Sequence, residues 1–349
     1  MAKQKCANLI VLPPQYEQYL KFSKLAREIY LRYTHLVEPF GMDECWLDVT
    51  GSEICGTGEE IAKEISETIQ FELGLTVSIG ISFNKIFAKL GSDLKKPNGI
   101  THIKKATFKQ QIWHLPVNEL LGVGNATYKK LSMRGIFTIG DLANTPEQLL
   151  HSWFGINGSK LKQYANGLDF SKVMANDYNL PIKSIGHGIT TIQDLENSYE
   201  VWCVMLSLAQ DLGSKLIAHK KKAEGIAIDI RNKQLLTKQW QCPLSIPTQS
   251  ALILAKNAFS LFNLQYSWEC PIRSVTLRAI SLTDENIPTQ LNLFTDTSKL
   301  EKREKLDNTI EEIRKRFGKQ AIQNATLLQN IKVSKAQNIQ LFMPTGMVK

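Results

Sequence analysis

The segment Gly41-Met42-Asp43-Glu44-Cys45-Trp46-Leu47-Asp48-Val49-Thr50 puts three carboxylates within six residues at the opening of an apolar run. Cys45–Val49 has the composition of a strand, ended by Thr50-Gly51-Ser52. Strand alternation then sets Glu44, Trp46 and Asp48 on one face and Asp43 on the other. Asp43 and Glu44 can share a cation only where the chain bends, and Gly41 just before them permits a bend. Two carboxylates joined by phosphate oxygens suit Mg²⁺, which keeps several waters and seldom sits in an all-protein cage. The competing reading is an acidic turn, solvated or capping a helix.

Outward from this segment, helices and strands interleave. Upstream, Met1-Ala2-Lys3-Gln4-Lys5-Cys6 runs into the strand-like Leu9-Ile10-Val11-Leu12, stopped by Pro13-Pro14. From Gln15 to Val37 the apolar positions Tyr16, Tyr19, Leu20, Phe22, Leu25, Ile29 and Leu36 predict one amphipathic helix. Downstream the pattern gives a helix over Gly58–Leu73, a strand over Thr76–Ser82, a helix over Lys85–Leu94 and a turn at Lys96-Pro97-Asn98-Gly99. Residues 1–105 therefore read as a sheet domain with helices. No G-x-x-x-x-G-K-[ST] occurs, so a triphosphate would be held by side-chain cations. Lys85, Lys89, Lys95 and Lys96 are within reach of that role, unless they form a solvated lysine face.

Residues 106–174 change texture to short helices punctuated by glycine, a small all-helical domain. Within them Leu120-Leu121-Gly122-Val123-Gly124-Asn125-Ala126 forms a glycine hairpin opening a helix. Such a hairpin can aim backbone N–H groups at one phosphate without reading sequence, or it simply connects two helices. Residues 175–183 are polar and turn-rich, a linker. A second α+β domain spans 184–335, with strands over Ser184–Gln193, Gly225–Arg231, Leu236–Cys242 and Ile272–Leu282 and helices over Ser198–His219, Thr248–Phe262 and Ser298–Phe317. Residues 336–349 form a tail. Gln290-Leu291-Asn292-Leu293-Phe294, a polar anchor followed by paired apolar residues, suits docking in a groove on a partner.

The 349 residues carry 42 Lys and Arg against 33 Asp and Glu, a net charge of +9. Of that, +7 lies in residues 180–349, where Lys220-Lys221-Lys222 and Arg314-Lys315-Arg316-Phe317-Gly318-Lys319 cluster. A basic half favours a polyanionic partner. The composition excludes disordered and collagen-like chains, and no apolar run approaches the about 20 residues of a spanning helix. Membrane partners are not expected. The six cysteines form no C-x-x-C pair and read as reduced, mostly buried thiols.

In order, these pieces resemble the Y-family translesion DNA polymerases of the DinB/UmuC group. Met42 to Thr50 is similar to the family's S-x-D-E-x-x-L-D-x-T segment, and Ser78-Ile79-Gly80-Ile81-Ser82 with Asn84-Lys85, Ala88-Lys89 and Lys96-Pro97-Asn98-Gly99 to its next palm segment. Gly122-Val123-Gly124 resembles the thumb hairpin. Lys183-Ser184-Ile185-Gly186 with Thr190-Thr191 resembles the opening of the little finger, and Ile313 to Gly318 its end.

The resemblance implies an α+β multidomain polymerase with an incomplete palm, a helical thumb carrying a helix-hairpin-helix, and an α+β little-finger domain. It implies error-prone translesion synthesis by two-metal nucleotidyl transfer, in a cytoplasmic, monomeric protein of the SOS response. Asp43 and Glu44 would be two of three carboxylates holding two Mg²⁺ ions, and Lys96 would contact the incoming dNTP. Gly122, Val123, Gly124, Lys183, Ser184 and Gly186 would hold primer–template DNA. Gln290, Leu291, Leu293 and Phe294 would bind the bacterial sliding clamp.

Family members begin with a strand carrying the first metal-binding aspartate, followed by the ribose gate and the fingers. Here Met1 aligns with the end of the fingers, which implies that the first palm strand and most of the fingers are lacking. The resemblance therefore also implies an unpaired palm edge and doubtful activity for the chain alone. The alternative is a catalytically inactive DNA- and clamp-binding protein. A metal-dependent nuclease would use Asp43 and Glu44 but leave Lys96 and Gln290–Phe294 without a role.

Overall fold

The computed structural model describes residues 2–178, 181–288, 297–328 and Lys332. Gln290–Phe294 and the tail 336–349 lie outside the described residues. The chain divides into two compact units at residues 180 and 181.

The first unit opens with a single turn, α1 (Ala2–Lys5), then α2 (Tyr16–Tyr30), β1 (Val37–Pro39), β2 (Cys45–Leu47), α3 (Gly58–Leu73), β3 (Ile79–Ser82), α4 (Lys85–Leu94) and β4 (Ile100–Ile103). Local chemistry fixes the helix ends. Thr57 and Glu60 form a reciprocal capping box at the start of α3, and Gly74 closes it in the left-handed region at φ 66°. Asn84 accepts the Phe87 N–H at the start of α4. Ile61, Ile65 and Ile69, one face of α3, pack with Ile29 of α2.

β1 pairs with β2 antiparallel, with Val37 opposite Leu47, and β3 pairs with β4 in parallel. β2 and β3 do not pair with each other. A cleft of about 510 Å³ takes in Cys45, Leu47 and Val49 from the β2 side and Thr76 to Ser82 from the β3 side, with Ile61, Ala62 and Ile65 of α3 also on its wall.

Five short helices follow: α5 (Phe108–Ile112), α6 (Asn125–Ser132), α7 (Ile139–Asn144), α8 (Glu147–Phe154) and α9 (Ile156–Ala165). Leu120, Leu131, Leu142, Leu150 and Ala165 bury together with Phe87 and Leu90 of α4. The helical part and α4 thus share one core.

The second unit runs β5 (Ser184–Leu195), α10 (Ser198–Ala218), β6 (Lys221–Asn232), β7 (Thr237–Thr248), α11 (Ala251–Gln265), β8 (Ile272–Asp284) and α12 (Thr297–Phe317). Its sheet has the order β5-β8-β6-β7, every pair antiparallel. Ile226, Ile228, Ile230, Val275, Leu277 and Ala279 point to one face and bury against Leu208, Leu212, Leu254 and Phe262 of α10 and α11. Against the sequence reading, which found no such run, α10 is among the described residues the one helix long and apolar enough to cross a membrane by length and composition, and it is the core helix of this unit.

The predicted helix over Gln15–Val37 is too long. The helix ends at Tyr30, the Thr34 hydroxyl accepts the Leu36 N–H to turn the chain, and Val37 starts β1. β1 and β4 escaped the sequence reading. Leu9 to Leu12 form no strand and are exposed. Of the cysteines only Cys203 is fully buried, while Cys6 and Cys55 are exposed.

Candidate functional site

Gly41 adopts φ 107°, a conformation open to glycine, and the chain turns there before β2 begins. Asp43 and Glu44 follow and line the cleft together with Lys89 and Lys96. Glu44 and Trp46 both turn to α4, as strand alternation requires. The Trp46 indole N–H donates to the Lys85 carbonyl at 3.0 Å, its ring lies on Phe40 with centroids 4.4 Å apart, and the Lys85 ammonium sits 5.0 Å over it. Glu38, opposite Trp46 across the ladder, takes that ammonium at 2.6 Å. Asp48 accepts the Thr50 N–H and closes the following turn. Burial pushes the Cys45 thiol up to about 11, Arg27 opposing and the charges of Asp43 and Glu44 adding to it.

The lysines of α4 are not a solvated face. Lys89 Nζ stands 3.1 Å from Glu44 Oε1 and 2.6 Å from Asp93 Oδ2, and Lys96 Nζ stands 2.7 Å from Asp93 Oδ1. Burial works against the Lys89 charge, but the hydrogen bonds it donates to Asp93 and Glu44 outweigh burial and raise its pKa. Burial also works to raise Asp93, and Lys89 and Lys96 outweigh it in turn, so its pKa is lowered. Asp93 went unread in the sequence, although it shares a helix face with Lys89 four residues before it and stands just before the helix end that Lys96 follows.

A carboxyl with a depressed pKa stabilises the folded chain above the ordinary aspartate value, and that contribution is lost as pH falls through its own lower value. Urea resistance of the first unit should decline below about pH 4, and Asp93→Asn should flatten that decline. Unfolding midpoints at pH 7, 5 and 3 test this; an identical acid limb in the variant would refute it.

Asp43 and Glu44 can offer oxygen ligands to one divalent ion. Among the described residues no group of three His, Cys, Asp or Glu is placed to hold a metal, and Glu44 is already paired with Lys89. The described side chains therefore do not complete a two-ion site.

The hairpin has Gly122 at φ 94°, Val123 buried, and Gly124 as the residue before α6, with no side-chain cap. A Cβ at Gly124 would meet nothing within 4 Å, so the approach to the α6 N-terminus is open there.

In the second unit Ser184 and Gly186 belong to the sheet face away from α10 and α11, just after Lys183. Register aligns Gly186 with Arg278, Arg278 with Ala227, and Ala227 with Gln241. Thr276, Ser274, Asp229, Arg231 and Gln239 lie in the same register on this face. It is polar and low, since a side chain at Gly188 would collide with Thr276. Arg278 lies 3.6 Å from Asp229, and its Nε has no hydrogen-bond partner among the described residues. Arg231 and Arg278 were missed in the sequence; their signal was alternation with the buried Ile230 and Leu277. The lysine and arginine clusters are partly absorbed within the unit. Lys221 pairs with Asp284, Lys222 with Glu304 and Lys319 with Asp211, while Arg314 binds the Ile322 carbonyl and Gln210.

The impB/mucB/samB family matches residues 1–93, and the C-terminal domain of the same family matches residues 182–293. DNA polymerase IV of Acetivibrio thermocellus is 43% identical over 330 residues, covering 94% of this chain and 83% of that protein. DNA polymerase IV of Clostridium acetobutylicum is 33% identical over 94% of this chain and 82% of its own length, and DNA polymerase IV 1 of Bacillus subtilis 35% over 94% and 79%. A Y-family DNA polymerase chimera of known structure has a similar fold, with a TM-score of 0.70 at 20% identity over 81% of each chain.

Proposed function

Because the chain belongs to the impB/mucB/samB family, the DinB-type Y-family DNA polymerases, we propose that this DNA-directed DNA polymerase serves error-prone translesion synthesis in damage tolerance, as a single cytoplasmic chain associated with a sliding clamp. The observation that carries the reading is the array of Asp43, Glu44, Lys89 and Lys96 lining one cleft, with Asp93 paired to both lysines. Carboxylates and lysines side by side suit a triphosphate together with its divalent ion.

Y-family polymerases use divalent metal ions, which stabilise charge on the attacking and leaving oxygens when bound. The chain's own residues have separate tasks. Asp43 and Glu44 offer ligands, and Lys96, the more exposed of the two lysines, meets the triphosphate. The Gly122-Val123-Gly124 hairpin and the face carrying Ser184, Gly186, Arg231 and Arg278, with Lys183 beside it, grip the phosphate backbone of primer–template DNA without reading bases.

The pairing of Glu44 with Lys89 supports a second reading, a chain that holds DNA and the clamp without catalysis. Primer extension with Mg²⁺ and four dNTPs, beside fluorescence anisotropy on the same primer–template, separates the two. Template-directed incorporation sinks the second reading. Salt-sensitive binding without incorporation sinks catalysis by this chain, and the absence of both sinks the common ground.

Clamp association is assigned to Gln290, Leu291, Leu293 and Phe294. Leu293→Ala with Phe294→Ala should abolish co-elution with a bacterial sliding clamp while leaving DNA affinity unchanged. Persistent co-elution would remove the assignment.

A further inference from the structure

We propose that Lys89 is a built-in counter-ion for Glu44, competing with a divalent cation there, and that Asp93 is the positioning residue that draws it away. This rests on the reading of Asp43 and Glu44 as cation ligands. Adjacent carboxylates repel each other, and the Lys89 ammonium relieves that repulsion at 3.1 Å from Glu44. The same ammonium is 2.6 Å from Asp93, one turn further along α4. The Lys89 side chain is only 17% exposed, so its stem is fixed while its tip lies between two acceptors. A small rotation at the end of the side chain moves the charge from one to the other.

Lys96 couples this pair to phosphate. It occupies the second oxygen of Asp93 at 2.7 Å and is 57% exposed. When Lys96 swings to a polyphosphate, Asp93 is left with one partner and attracts Lys89 more strongly, which frees Glu44. The cation and the polyphosphate then favour each other's binding, because each removes a lysine from the other's path.

Mn²⁺ alone is the probe, its free concentration read by electron paramagnetic resonance during titration of the full 349-residue chain. Lys89→Met, which keeps the stem and removes the charge, should tighten Mn²⁺ binding about fivefold or more. Asp93→Asn should weaken it by a similar factor, since Lys89 then rests wholly on Glu44. The double variant should behave like Lys89→Met, because Asp93 acts only through Lys89. A merely structural Asp93 would weaken binding in both backgrounds, and that result overturns the proposal, as does unchanged affinity in Lys89→Met. Glu44→Gln keeps the two failures apart. Mn²⁺ binding lost in Glu44→Gln but indifferent to Lys89 refutes the counter-ion alone, whereas binding indifferent to Glu44 refutes the underlying site.

Discussion

Gly80→Ala should destabilise the first unit by about 3 kcal/mol, at the upper end of what overpacking costs. A Cβ at Gly80 would run into the Ala88 carbonyl oxygen and lie 2.5 Å from the Ser92 amide nitrogen, both backbone atoms of α4. Backbone cannot rotate aside as a side chain can. On the helix side Gly91 answers Gly80, since its own Cβ would come 3.2 Å from the Gly80 Cα. Two facing glycines thus bring α4 onto β3, and α4 carries Lys85 and Lys89. Pushing it outward stretches the pairs to Glu38 and Glu44, so triphosphate binding should fall with stability. Gly124→Ala is the control: its φ is −78° and the site is open, so its stability should change by less than about 1 kcal/mol. Urea denaturation of both variants decides the matter; equal midpoints would refute the close-packing argument.

Arg231→Ala with Arg278→Ala should weaken primer–template binding by about 2 kcal/mol, roughly 30-fold. Losing two phosphate contacts should also lower the slope of log affinity against log salt by ~1.8. The reason is geometric: both side chains lie on the face where Gly186, Gly188, Ser274 and Thr276 keep the surface low. Lysine at both positions should restore most of the affinity and the slope, since a point charge is enough for a phosphate. Anisotropy titrations at several salt concentrations measure both quantities. Affinity of the double alanine variant within twofold of the parent would exclude this face.

Much of this was legible in the residues. The helices Gly58–Leu73 and Lys85–Leu94 could be read to their ends because Thr57, Gly74 and Asn84 punctuate them. The bend at Gly41 and the facing of Glu44 and Trp46 followed from one glycine and a period of two. Elements whose partners lie far away in sequence were not legible. β1 is three residues long and ends in proline, and β4 has no alternation until β3 is set beside it. The helix Tyr16–Tyr30 ends where side chains turn the chain rather than where apolar spacing stops. Asp93 was hidden among lysines whose number suggested solvent, and only their short distances turn them inward. The arginines of the sheet face carried no motif; they became visible once register put Arg278 beside Gly186.

Trp46 is held at three points: Phe40 against its ring, the Lys85 carbonyl on its N–H, and the Lys85 ammonium above it. It is one of six tryptophans, and it sits on the strand that Glu44 immediately precedes. Any ligand that shifts α4 against β2 must change the field and the polarity at that indole. Its emission therefore serves as an intrinsic optical gauge of the site, readable once the other five are replaced by phenylalanine. A chain that binds triphosphate or cation in the way described here signals the event in its own fluorescence, without a label.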